Sequence, residues 1–218
     1  MQDITSNISF EDVTSLDMSV DEVIDEEQSQ SSLNRVLPRC LPWALASILP
    51  GLIELDLSNL QGGPMKEGDY ISELSLFNAS NTPNVRKITW NNRVGGCYFL
   101  RGKDMRSLEN LQELHFDNIL CDWRFDKLFA TLMNQFFDET SIIQRFFFFA
   151  CNNSLERVSL KGGRYVAMAN AAERVDFPQW ALMRFVRRTP TLKWFRSDLT
   201  QENIELLQYE RPEIEFSS

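Results

Sequence analysis

The sequence predicts an α/β fold of stacked strand-and-helix repeats preceded by an acidic tail. Three observations support this prediction. A short apolar motif recurs after position 33, amphipathic helical segments lie between its copies, and the excess negative charge is confined to the N-terminal segment. Hydrophobic residues make up 43% of the 218-residue chain, enough to bury a core without disulfides or metal ions. We therefore expect one folded domain and a tail.

The recurring motif has apolar residues at offsets 0, +3 and +5 and asparagine at +7. Side chains of a strand alternate between its two faces, so the +3 and +5 residues share a buried face while +2, +4 and +6 face solvent. The asparagine ends the strand, and stacked copies would form a hydrogen-bonded asparagine ladder. Four copies are complete: Leu52/Leu55/Leu57/Asn59, Ile71/Leu74/Leu76/Asn78, Val85/Ile88/Trp90/Asn92 and Leu111/Leu114/Phe116/Asn118.

Weaker copies extend the pattern toward the C-terminus. They are Leu155/Val158/Leu160/Gly162 and Leu192/Phe195/Ser197/Leu199, and Ile214 with Phe216 predicts a last half-strand. The steps between copies are irregular, and the shortest runs from Ile71 to Val85. So short a step leaves no room for a helix, so we expect a bare loop between Asn78 and Asn84 or one misassigned strand.

Helical patterns occupy several of the intervals between copies. A short helix is predicted around Leu41 to Leu49, a longer one from Asp122 to Phe137 with an apolar stripe at helical spacing, and another over about residues 140–150. Pro178 suits the first turn of a helix carrying Leu182, Phe185 and Val186. Thr200 is a predicted cap of a last helix with Ile204 and Leu207.

These segments resemble leucine-rich repeats, and Ala44 to Asn59 is similar to the helix-loop-strand unit of the ribonuclease-inhibitor-like type. The resemblance covers residues 36–216 in outline. It implies a right-handed α/β solenoid with a parallel sheet on the concave side and helices on the convex side. The spacing departs from the family, whose repeats run roughly 20–29 residues. The implied leucine-rich-repeat domain spans residues 34–218.

Residues 1–33 are predicted to be an acidic disordered tail. Residues 1–34 contain nine carboxylates and no lysine or arginine, whereas the remainder contains 22 acidic and 22 basic residues. Apolar residues from Phe10 to Ile24 recur at near-helical spacing, so a weak amphipathic helix is an alternative for part of this segment. Nucleic acid is not an expected partner, because neither part offers the clustered cations that phosphate binding requires.

Candidate catalytic and metal-binding residues are few. His115 is the only histidine, and no nucleophile elbow accompanies it, so we expect a surface contact residue and no enzyme. The glycine pairs at residues 62–63, 95–96 and 162–163 lack phosphate-loop spacing and are interpreted as turns. No metal site or cofactor is predicted, because the cysteines are scattered: Cys40, Cys97, Cys121 and Cys151.

The chain has no positively charged leader followed by an apolar stretch and no apolar run long enough to span a bilayer. We therefore expect an intracellular protein, cytoplasmic or nuclear, with no membrane partner and in monomeric form.

Function is predicted from the outward strand positions, which would line one concave surface. Phe77, Trp194 and Arg196 there are residue types that often anchor protein interfaces. We expect a non-catalytic module that binds another protein through Glu54, Asp56, Glu73, Phe77, Lys87, Glu113, His115, Asp117, Arg157, Lys161, Trp194 and Arg196. The expected structural ladder is Asn59, Asn78, Asn92 and Asn118.

Two other functions fit the resemblance less well. One is a substrate-recognition subunit of a ubiquitin ligase, in which leucine-rich repeats follow an F-box. The segment from Leu37 to Gly51 is too short for a three-helix F-box. The other is a GTPase activator of the leucine-rich-repeat type, for which no residue in the sequence provides support.

Overall fold

The computed structural model describes residues 13–17, 19, 49–59, 84–92, 94–95, 110–121, 154–167 and 172–218. These residues form a mixed α/β structure with two sheets and two helices. In chain order the strands are β1 (Ser15–Asp17), β2 (Glu54–Asp56), β3 (Lys87–Thr89), β4 (Val94–Gly95), β5 (Glu113–His115), β6 (Leu120–Cys121), β7 (Arg157–Ser159), β8 (Arg164–Val166), β9 (Arg174–Asp176), β10 (Trp194–Arg196) and β11 (Glu215–Ser217).

The larger sheet is parallel throughout and has seven strands in the order β1-β2-β3-β5-β7-β10-β11. Neighbouring strands pair without a register shift, so equivalent motif positions lie side by side. The +3 side chains therefore form one buried row: Leu55, Ile88, Leu114, Val158 and Phe195, each at most 1% exposed. The predicted alternation of a buried and a polar face is confirmed in this sheet.

The irregular spacing of the first copies is explained by the pairing of β2 with β3. Glu54 pairs directly with Lys87, so no strand lies between β2 and β3 in this sheet. The asparagines that end these two copies, Asn59 and Asn92, are 33 residues apart. The short step from Ile71 to Val85 therefore does not separate neighbouring strands of this sheet. The predicted copy at Ile71 to Asn78 lies outside the described residues, as do the helices predicted over residues 122–150.

Within residues 1–33, which were predicted to be a disordered tail, Ser15–Asp17 form strand β1. Ser15–Asp17 pairs in parallel with β2, and Leu16 and Val13 pack against the core. The alternative of a helix is also wrong for these residues. The reason is visible in the sequence, because Val13, Leu16 and Met18 repeat the apolar offsets 0, +3 and +5 without the asparagine. Apart from residues 13–17 and Ser19, the predicted tail lies outside the described residues.

A left-handed turn ends the strand in three successive copies. Asn59, Asn92 and Asn118 have φ values of 63°, 57° and 56°, a conformation that asparagine tolerates better than most residues. Asn92 Nδ2 donates to Asn59 Oδ1 at 2.8 Å, and Asn118 Nδ2 donates to Asn92 Oδ1 at 2.9 Å. Gly162 takes the equivalent position in the next copy with φ of 69°. The row of asparagines thus holds neighbouring turns together.

Beyond these turns the chain enters a smaller sheet with the order β4-β6-β8-β9. Strands β4, β6 and β8 pair in parallel, and β9 pairs with β8 in the antiparallel direction. The sequence analysis did not predict this sheet, because strands as short as β4 and β6 carry no readable alternation. Gly95, interpreted as a turn residue, lies in β4.

Two helices follow β9 and β10, as predicted: α1 (Gln179–Arg188) and α2 (Gln201–Glu210). Pro178 precedes the first turn of α1, and Phe185 packs against Phe195 of β10 with ring centroids 5.5 Å apart. Thr200 caps α2 by accepting the N–H of Asn203. The predicted half-strand is present as β11. Within the described part of the chain, no helix is long and apolar enough to cross a membrane.

Two arginines fix these helices to each other. Arg187 in α1 donates two hydrogen bonds of 2.7 Å to the carboxylate of Glu210 in α2. Arg211, just after α2, donates to the carbonyl oxygens of Val186 and Pro190 at the end of α1. Carbonyl groups at a helix C-terminus lack intrahelical partners, so Arg211 acts as a cap supplied by another segment.

The Gly162 turn predicts the first stability effect. In Gly162→Ala, the new Cβ would lie 2.2 Å from Asn118 Oδ1, and alanine would adopt φ of 69° at a cost of about 1–2 kcal/mol. The total loss in unfolding free energy, measured by urea denaturation, should exceed the conformational cost alone. In an Asn118→Gly background only the conformational cost should remain. Equal losses in both backgrounds would contradict the predicted contact.

Strand β1 predicts that Leu16→Ala lowers the free energy of unfolding by about 1 kcal/mol, roughly half the value for a fully buried leucine. The physical reason is that Leu16 packs against the core while only partly buried. Urea denaturation of the intact chain measures this change, with Ser15→Ala on the exposed face of the same strand as the matched control. A stability unchanged by Leu16→Ala would show that β1 is not docked in solution.

The ion pair between the helices predicts a pH dependence. The hydrogen bond from Arg187 lowers the pKa of Glu210 below its ordinary value of 4.5. The stabilisation is therefore complete above pH 4.5 and is lost as the pH falls through the folded-state pKa of Glu210. Glu210→Gln should melt at a lower temperature than wild type at neutral pH, and the difference should vanish in strong acid. The control is Glu205→Gln, because the Glu205 carboxylate accepts a hydrogen bond from the neutral side chain of Gln201. If Glu210→Gln lowered the melting temperature equally at every pH, this assignment would be contradicted.

Candidate binding surface

One face of the larger sheet is polar from the first strand to the last. This polar face is defined by the +2 and +4 side chains of the strands and by the +6 side chains of the turns that follow. Neighbouring members are brought together by the in-register pairing, so that Glu113, Arg157 and Trp194 form one row across β5, β7 and β10. His115, Ser159 and Arg196 form the next row.

Most of the predicted partner-binding residues lie on this face. They are Glu54, Asp56, Lys87, Glu113, His115, Arg157, Trp194 and Arg196 in the strands, with Asp117 and Lys161 in the turns. Glu73 and Phe77 lie outside the described residues, as does Asn78 of the predicted ladder. Strand β1 adds Ser15 and Asp17 to the acidic end of the face, and neither residue was predicted from the sequence. The apolar offsets around Leu16 are the signal that could have located them.

The N-terminal end of the polar face is acidic. Asp17 and Asp56 are register partners, and Glu54 lies two positions before Asp56. Two hydrogen bonds from Ser19 lower the pKa of the Asp17 carboxyl group. The bond from the Ser19 hydroxyl has the larger effect and the bond from its backbone N–H the smaller one. Lys87 Nζ lies 3.3 Å from Glu54 Oε2 and neutralises one of the three carboxylates. This end of the face keeps a negative charge at neutral pH.

Asp117 organises the middle of the face. Its Oδ1 accepts from Ser159 Oγ and from the backbone N–H of Lys161 at 3.0 Å, while Oδ2 accepts from Arg196 at 3.1 Å. The side chain is 19% exposed, so these bonds satisfy a carboxylate that is largely shielded from water. Asp117 thus connects the turn after β5 to β7 and β10, and it fixes the position of Arg196.

An aromatic and charged cluster lies beside Asp117. The Arg157 guanidinium carbon lies 4.7 Å from the centre of the Trp194 ring, and His115 lies against the same indole with centroids 5.9 Å apart. Glu113 contacts both neighbours, at 3.4 Å to His115 Nε2 and 3.7 Å to Arg157 Nε. The side chain of Arg157 is 44% exposed. The cluster therefore presents an aromatic ring and a cation at the surface while its carboxylate is engaged.

The geometry does not form a serine-histidine pair. Ser159 is the register partner of His115, but its hydroxyl donates to Asp117, and the residue is fully buried. His115 Nε2 is directed to Glu113. Among the described residues, no group of three or more histidine, cysteine or acidic side chains is placed to hold a metal ion.

The comparisons with known proteins leave the family unassigned. No protein-family model matches the chain, and no curated protein matches its sequence.

Proposed function

We propose that this chain is a non-catalytic protein-binding module, a leucine-rich-repeat-like solenoid whose concave side is the polar face. The parallel sheet, with one strand for each motif copy that the structure describes, is compatible with that architecture. The partner, another protein, contacts the polar face along several neighbouring strands. The asparagine turns act as the structural ladder between repeats.

The observation that carries this proposal is the cluster around Trp194. A half-buried tryptophan packed against an arginine combines two of the side-chain types most enriched among residues that dominate interface energies. Tryptophan also loses little conformational entropy when it becomes covered, because its ring is already held by Arg157 and His115. A partner that covers this ring gains apolar contact at a small ordering cost.

The backbone beneath the cluster is held on both sides. Trp194 lies in β10, which pairs with β7 and with β11. Beyond the strand, the Leu160 N–H donates to Arg196 O at 2.8 Å, which continues the pairing into the turn. A surface fixed in this way changes shape little on binding, so the positions of its side chains select the partner.

The proposal predicts that Trp194→Ala with Arg157→Ala reduces partner recovery at least about tenfold, since such anchors contribute ~2 kcal/mol or more. The measurement is quantitative mass spectrometry of proteins captured from lysate by the intact, immobilised chain. The matched control is Trp180→Ala with Arg188→Ala, which removes the same residue types from the exposed surface of α1. Circular dichroism melting verifies that each variant is folded.

Two results would contradict the proposal. Capture that is equal for wild type, the polar-face variant and the α1 variant would show that binding does not use the polar face. Capture that is lost only with the α1 variant would place the binding surface on the helices.

A further inference from the structure

We propose that Arg157, Trp194 and Arg196, named here the arginine-tryptophan patch, bind a carboxylate side chain of an extended acidic peptide segment in the partner protein. This inference rests on the proposed function and specifies the chemistry that the polar face recognises. The patch lies on the adjacent strands β7 and β10, within the aromatic and charged cluster.

The patch contains hydrogen-bond donors that have no acceptor among the described residues. The Arg157 side chain makes an ion pair with Glu113 at 3.7 Å, beyond hydrogen-bond distance, and donates no hydrogen bond to any described residue. Arg196 donates one hydrogen bond, through Nη1 to Asp117. The indole N–H of Trp194 also lacks an acceptor among the residues that the structure describes. A guanidinium group has five N–H donors, so most of the capacity of the patch is unused.

Stacking makes the Arg157 donors available to a ligand. The guanidinium carbon lies 4.7 Å from the Trp194 ring centre, a contact that restrains the side chain on the aromatic surface. Arginine stacked in this way retains donors at its edge, and those donors match the two oxygens of a carboxylate. Arg196 is a diagonal neighbour on the same face, at a backbone separation of roughly 7–8 Å. One carboxylate can therefore contact both arginines.

The surrounding charges favour a singly charged ligand group. Glu113 lies beside Arg157, and Asp117 is bonded to Arg196, so each cation already faces one carboxylate. Lys161, at the turn after β7, adds one further positive charge, and its ammonium group makes no ion pair with a described residue. Three cations then face two carboxylates, so the carboxylate of one aspartate or glutamate neutralises the surplus positive charge, whereas a phosphate with nearly two negative charges leaves an excess of negative charge. The carboxylate of aspartate or glutamate is the better match.

The shape of the patch favours a side chain presented by an extended segment. Arg157 and Arg196 are 44% and 39% exposed, so the donors lie at an open surface. Trp194 lies beside them and offers an apolar surface to a second side chain of the partner segment, two positions from the carboxylate, because residues i and i+2 of an extended chain share a face. A peptide with an acidic residue two positions from an apolar one satisfies both parts of the patch.

The test uses a random dodecapeptide library displayed on phage and selected on the intact chain. Selected peptides should carry aspartate or glutamate at one shared position, with an apolar residue two positions away. Fluorescence polarisation then compares each peptide with its Asn or Gln counterpart and with a phosphoserine counterpart. Replacing the acid by the amide should weaken binding at least about tenfold, because charge-assisted hydrogen bonds are lost. The phosphoserine peptide should bind more weakly than the acid.

Protein variants locate the contact and separate the two proposals. Arg157→Gln and Arg196→Gln should each weaken the acidic peptide at least about fivefold, while Arg188→Gln on α1 should leave its affinity unchanged. Peptides that lack an acidic position but lose binding with Trp194→Ala would overturn the carboxylate site and leave the polar-face function intact. The inference would be overturned if the selected peptides were insensitive to Trp194→Ala, Arg157→Gln and Arg196→Gln. It would also be overturned if no peptide were selected. In either case the lysate capture decides the proposed function independently.

Discussion

The left-handed turn that follows β2, β3, β5 and β7 is the constraint on which the rest of the structure depends. A residue with φ near 60° lies at the same position in each of these copies, and asparagine supplies both the conformation and a side-chain bond to the next copy. Because the turns are held in line, the strands pair without a register shift. A slip of one residue would exchange the buried and polar faces, so the asparagines also determine which side chains reach solvent.

The asparagine ladder ends at Asn118, and beyond it other groups connect neighbouring turns. Gly162 has no side chain, and the space that a Cβ would occupy is filled by Asn118 Oδ1. Asp198 in the following copy accepts the Gly162 N–H at 2.6 Å, so the connection between turns continues through a carboxylate. Asp117 supports the same region from the polar face. The contacts of Asp117 therefore reach the copies that lack the asparagine, which is also where Trp194, Arg157 and Arg196 lie.

The sequence predicted the parts of this fold that repeat with a readable period. The offsets of apolar residues located β2, β3, β5, β7 and β10, and Pro178 and Thr200 located the starts of α1 and α2. Strand β1 was not predicted, because the segment around Leu16 is rich in carboxylates, as disordered tails are. Its apolar offsets nevertheless match those of the motif. The contacts of Asp117 could not be predicted, since they join residues as far as 79 positions apart and depend on which copies are neighbours.

Charge is distributed unevenly along the polar face. Ion pairs between neighbouring strands, such as Lys87 with Glu54, are exposed, and pairs of this kind add little to stability. Their arrangement instead leaves an acidic end at Asp17 and Asp56 and a donor-rich patch at Arg157 and Arg196. A partner segment that carries acidic residues at one end and basic residues at the other would match the face in only one direction. Under the proposed function, the charge on this in-register sheet would select the orientation of a bound chain as well as its composition.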